Sequence, residues 1–79
     1  MARSAPDDME ELKRQVAARL QYLRAGRRRS SYARALRVEP WQIRAYERGE
    51  KLPGVRALML AAIDGSVSLD WLLFGVDRW

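Results

Sequence analysis

Apolar residues recur at three- and four-residue steps along most of the chain, and each such run predicts a helix. The longest stripe is Met9, Leu12, Val16, Leu20 and Leu23, closing near Arg24. Asp7 followed by Glu10 suits a capping box at its start, and Gly26 suits its C-cap. Between Arg29 and Gly49, RSSYARALRVEPWQIRAYERG, the pattern divides into two short helices and a tight turn. Tyr32, Ala33 and Leu36 share a face of the first, with Ser30 as its expected cap, and Ile43 and Tyr46 share a face of the second. Pro40 fits the first turn of the second helix, where a missing N–H costs nothing. A fourth helix is expected from near Val55, with Val55, Leu58, Met59 and Ala62 inward and Asp64-Gly65-Ser66 closing it. A fifth runs from Leu69 to Phe74, capped by Ser68. Leu69, Leu72 and Leu73 reach the core, and Trp71 and Phe74 are partly left outside.

The pattern predicts a compact all-α domain of five helices spanning residues 7–75, with a flexible tail at 1–6 and a short tail at 76–79. Two helices as short as the central pair cannot bury each other alone. They must dock on a third element, which is the logic of a helix-turn-helix. At about 100° per residue, a second helix with Ile43 and Tyr46 inward turns Trp41, Arg44, Ala45 and Arg48 outward and leaves Gln42 on the flank.

Charge gives that outward face a direction. The chain has 79 residues and net charge +5, but residues 24–56 alone hold ten basic and three acidic side chains, net +7. A positive field centred on the two short helices calls for a polyanion. The excess is almost all Arg, whose planar fork matches phosphate and guanine. Chemistry other than binding is poorly provided for. There is no Cys and no His, so thiolate metal sites, disulfides and the usual triads are excluded. Carboxylates cluster at helix starts, where capping accounts for them. No enzyme activity, metal or cofactor is expected. No apolar run approaches a membrane span or a signal-peptide core, so a cytoplasmic location is expected.

Two segments carry a family resemblance. YERGEKLP, Tyr46 to Pro53, resembles the stretch that follows the recognition helix in lambda-repressor-like helix-turn-helix regulators, the Cro and phage-repressor type. SLDWLLFG, Ser68 to Gly75, resembles the last helix of that domain, and the spacing between the two matches without a gap. The resemblance covers roughly residues 10–75. It implies a sequence-specific regulator that binds double-stranded DNA as a homodimer on a pseudo-palindromic operator, with the helix around residues 40–47 in the major groove and no small-molecule ligand. By motif position, Trp41, Gln42, Arg44 and Ala45 correspond to base-reading residues, and Arg28, Arg29, Arg48 and Lys51 to phosphate clamps. The surplus of apolar side chains at the C-terminal end points to Trp71, Phe74, Val76 and Trp79 as the dimer interface.

The chain departs from the family's pattern at five positions. Arg27 stands where an apolar residue is usual and Arg28 where Ser or Thr is. Arg37 stands where the family commonly has Gly in a positive-φ turn, Glu39 where Ser or Thr caps the recognition helix, and Gly65 where Leu is kept. Glu39 and Trp41 on the reading face leave a second reading open, a helix-turn-helix reused for protein binding, antitoxin-like or anti-repressor in kind.

Overall fold

Helix ends account for most of the differences between the expected and the observed chain. The computed structural model describes residues 5–76, and these form five α-helices and no strand. The first, α1, spans Ala5–Arg24. It starts earlier than expected, with Pro6 in its first turn, where Pro is tolerated. Asp7 therefore lies inside the first turn instead of capping it, and Ala5 and Pro6 are helical instead of tail. Residues 1–4 of the expected tail lie outside the described residues. The helix closes on Ala25, which takes φ +52° and donates its N–H to the Gln21 carbonyl at 3.0 Å, so Gly26 is not the capping residue.

The central pair is α2, Arg29–Leu36, and α3, Pro40–Glu47. Arg28 occupies the N-cap of α2 and makes no side-chain cap bond, so Ser30 falls within the first turn. The turn pivots on Arg37, left-handed at φ +59°, while the Val38 N–H returns to the Ala33 carbonyl at 2.9 Å. A side chain in that conformation costs on the order of 1 kcal/mol that Gly would avoid. At the start of α3 the Gln42 Oε1 accepts the Glu39 backbone N–H at 2.9 Å.

The fourth helix, α4, spans Val55–Gly65, and α5 spans Leu69–Phe74. The buried residues of α4 are Ala57, Leu58, Ala61 and Ala62. Its inward face is thus turned by roughly 80° from the expected one, and Val55 and Met59 are exposed. The helix is apolar nearly all round, so periodicity cannot choose a face, and close approach chooses the small residues. Gly65 is part of that choice: a Cβ there would stand 2.8 Å from Leu23 Cδ2. Gly65 therefore makes room for α1, and Ser66, at φ +54°, ends the helix. In α5 the Ser68 Oγ accepts the Trp71 N–H at 3.0 Å, as its place before Leu69 implied. Arg19 donates to the Leu72 and Leu73 carbonyls at the end of α5.

The core gathers Val16 and Leu20 of α1, Tyr32, Ala33 and Leu36 of α2, Ile43 and Tyr46 of α3, Leu58 and Ala61 of α4, and Leu72 of α5. Leu12, Leu23 and Leu73 pack against it half-buried, whereas Met9 and Leu69 remain exposed. One core group is badly served: the Tyr32 hydroxyl is buried without a hydrogen-bond partner among the described residues. Burial, with Asp64 adding to it, pushes that phenol up to about 12. Tyr32→Phe should therefore raise stability by about 1 kcal/mol, because it removes an unpaired polar atom and keeps the ring. The neutral phenol's contribution is complete below pH 10 and is lost as pH rises from about 10 toward 12. Urea unfolding across that window should show a shallower alkaline decline in Tyr32→Phe than in the parent chain. Equal declines in the two proteins would mean the phenol is not the titrating group.

Candidate nucleic-acid interface

The α3 helix presents one face inward and another to solvent, as its phase dictates. Ile43 and Tyr46 are buried, and Trp41, Arg44 and Arg48 are exposed. Trp41 is 62% exposed, with Lys51 Nζ 5.9 Å from its ring centroid. Gln42 and Ala45 are half-buried at the flanks.

Two open grooves flank the first turns of α3. One, of about 430 Å³, is lined by Arg29, Pro40, Trp41 and Arg44. The other, of about 370 Å³, is lined by Arg37, Lys51 and Arg56 together with Gln42, Gly54 and apolar residues including Leu36, Val38 and Tyr46. Five basic side chains line the two grooves and no acidic one does. The first turns of α2 and α4 also contain no acidic residue and no side-chain cap. Their free N–H groups and positive dipole ends therefore add to the positive potential on either side of α3.

Not every base in the 24–56 segment contributes. Arg24 is committed to Glu47: its Nε lies 2.5 Å from Oε2 and its Nη2 3.0 Å from Oε1. Arg27 is paired with Asp64 at 2.8 Å and lies over the Tyr32 ring. These hydrogen bonds, against the cost of desolvation, hold both guanidiniums still more firmly in the charged form. Of the expected phosphate clamps, Arg48 sits 3.4 Å from Glu50 and Arg29 Nε 3.4 Å from Glu47 Oε1, both still substantially exposed. Arg28 and Lys51 are exposed and have no ion pair among the described residues, as are Arg34, Arg37, Arg44 and Arg56. Among the four expected base readers, Gln42 carries a constraint. Its Oε1 already serves Glu39, which leaves the amide N–H₂ as its unshared donor.

No protein-family model, curated protein or solved structure matches this chain.

The sequence reading missed Glu47. Only 6% of it is exposed, and it joins three helices through Arg24 of α1, Arg29 of α2 and its own place at the end of α3. Its carbonyl also accepts Gln21 Nε2 at 2.7 Å. The available signal was its position, four residues after Ile43 and beside Tyr46, on the apolar face. A carboxylate there must find a cation.

The expected dimer residues do not form a single exposed set. Trp71 is half-buried, packed on its own core with its ring 6.1 Å from that of Tyr22. That placement takes much of its surface out of reach of another molecule. Phe74 and Val76 are exposed, and Phe74 borders an apolar groove shared with Met9, Leu12 and Leu73 between α1 and α5. Trp79 lies outside the described residues. Among those residues no group of side chains could hold a metal ion, and no helix is long and apolar enough to cross a membrane.

Proposed function

We propose that the chain is a sequence-specific double-stranded DNA-binding transcriptional regulator of the lambda-repressor-like helix-turn-helix type, a Cro-like or short repressor acting in the cytoplasm. The observation that carries the reading is the pair of acid-free basic grooves on either side of the exposed start of α3. An eight-residue helix is about 12 Å long, comparable to the width of the B-DNA major groove. In this reading α2–Arg37–α3 is the helix-turn-helix and α3 enters the groove. Arg44 meets guanine or a phosphate, Trp41 or Ala45 meets a thymine methyl, and the Gln42 amide donates to a base acceptor. Arg28, Arg29, Arg48 and Lys51 hold phosphates and set the register. Two copies bind a pseudo-palindrome across its two-fold axis.

Selection from a random duplex pool is the direct test, and enrichment of a short symmetric motif is the expected result. With about 4–6 phosphates neutralised per protomer, the log–log slope of affinity against salt should be about −4 to −5 per protomer. Arg48→Ala should weaken binding to all sequences alike and reduce that slope by about one unit. A flat salt response, or no binding at low salt, would remove the DNA reading. The exposed Trp41, with the exposed Glu39 two residues before it, favours a protein partner as the second reading. A pool that enriches nothing, alongside a folded protein, selects that reading.

A further inference from the structure

The Gln42 side chain is tied at one end and free at the other. Its Oε1 accepts the backbone N–H of Glu39, three residues earlier, at 2.9 Å. The oxygen and nitrogen of an amide are alike in shape, but a backbone N–H can only donate, so the atom facing it is the oxygen. The two N–H groups of Nε2 are left over, with no hydrogen-bond partner among the described residues. Gln42 is half-buried and lines the groove that holds Arg37, Lys51 and Arg56.

We infer that Gln42 reads guanine, and that the bond to Glu39 makes the choice. The inference rests on the duplex-binding reading of α3 and adds the base that one of its side chains selects. A free Gln pairs with adenine through both ends, its oxygen accepting from N6–H and its nitrogen donating to N7. In this chain adenine N6–H would have to share Oε1 with the Glu39 N–H. Without that share, the adenine N6–H₂ stands opposed to the Gln42 N–H₂, donor against donor. Cytosine offers only a donor on its major-groove edge, and thymine a single acceptor beside its methyl. Guanine is the one base with two acceptors there, N7 and O6, and no donor. The surroundings agree: the groove carries three cations and no acid, a field that favours an acceptor-rich edge. Releasing the amide to take adenine would also undo the cap, because the Glu39 N–H is an otherwise orphan donor at the start of α3. The tie has a further benefit. It orders the side chain before the duplex arrives, so less freedom is lost on contact.

Duplex selection on the parent chain and three variants tests the inference, with a thermal melt to establish that each variant is folded. Gln42→Ala should flatten one position of each half-site. In the parent motif that position should be guanine, favoured over adenine at least about fivefold. Gln42→Glu keeps an acceptor for the Glu39 N–H, since a capping box takes either residue, but it offers the base a carboxylate instead of an amide. The same position should then change from guanine to cytosine, whose N4–H₂ donates to an acid. Glu39→Gln removes a charge but not the backbone N–H, so guanine should stay. Adenine at the position flattened by Gln42→Ala would mean that the amide leaves Glu39 on the duplex, and the inference fails while the DNA reading stands. It fails in the same way if Gln42→Ala changes no position, because Gln42 then only caps α3. A change of base in Glu39→Gln would move the choice to the carboxylate and overturn it as well. A parent chain that enriches no motif removes the DNA reading and this inference with it.

Discussion

Glu47→Ala is expected to cost about 3 kcal/mol of folding stability, the lower end of the range for breaking a buried ion pair. Its carboxylate is almost fully enclosed, and Arg24, the partner left behind, retains a fifth of its side-chain exposure. That residual contact with water is why the estimate is not higher. For a domain of this size the loss amounts to a fall in melting temperature of about 12–24 °C. Glu47→Gln keeps the shape and some hydrogen bonding, so it should fall between the parent and Glu47→Ala. Replacing both partners, Arg24→Met with Glu47→Leu, should recover most of the loss, because the penalty lies in the orphaned charge. Thermal and urea unfolding of the three variants test the order. If Glu47→Ala melts within a few degrees of the parent, the clasp contributes nothing and α1 and α3 are joined by apolar contacts alone.

Trp41→Ala should do the reverse, leaving the melting temperature nearly unchanged and weakening specific duplex binding by about 1–3 kcal/mol, roughly 5- to 150-fold. The indole is mostly in solvent, so little buried area is lost on truncation. Its neighbours are the cationic groups of Arg44, Arg29 and Lys51. In the proposed complex, removing it would take away one base-facing contact without disturbing the core around Ile43. Melts and binding curves on the same preparations separate the two effects. A large drop in melting temperature with unchanged affinity per folded molecule would make Trp41 a structural residue.

The parts of the fold that the sequence announced are those where one face is apolar and the other is not. Val16 and Leu20, then Tyr32, Ala33 and Leu36, and Ile43 with Tyr46 are buried where their spacing put them. The orientation of α4 was not legible for the opposite reason. With alanines on one side and Val55, Met59 and Ile63 on the other, hydropathy is nearly uniform, and the choice was made by how closely Gly65 lets Leu23 approach. The end of α1 was misjudged where Gly26 was taken as the punctuation, since Ala25 holds the left-handed position and neighbouring Gly26 does not; α4 closes within Asp64-Gly65-Ser66 as its sequence announced, on Ser66. Of the interface, the outward phase of Trp41 and Arg44 was readable. The pairing that withdraws Arg24 and Arg27 from the basic field was not, because both depend on partners more than twenty residues away.

The Arg24–Glu47 clasp also governs the azimuth of α3. Apolar contacts such as those of Ile43 and Tyr46 are non-directional, and a helix held by them alone could roll about its axis at small cost. A two-point fork from α1, closed by Arg29 on the α2 side, has one favoured angle. Side-chain tips stand about 5–6 Å from a helix axis, so a roll of about 20° sweeps them sideways by about 2 Å. Base pairs succeed one another every 3.4 Å or so. In the proposed complex, an unclasped α3 would smear Trp41 and Arg44 over more than half a step. Glu47 would then give the reading face its lateral resolution without touching DNA.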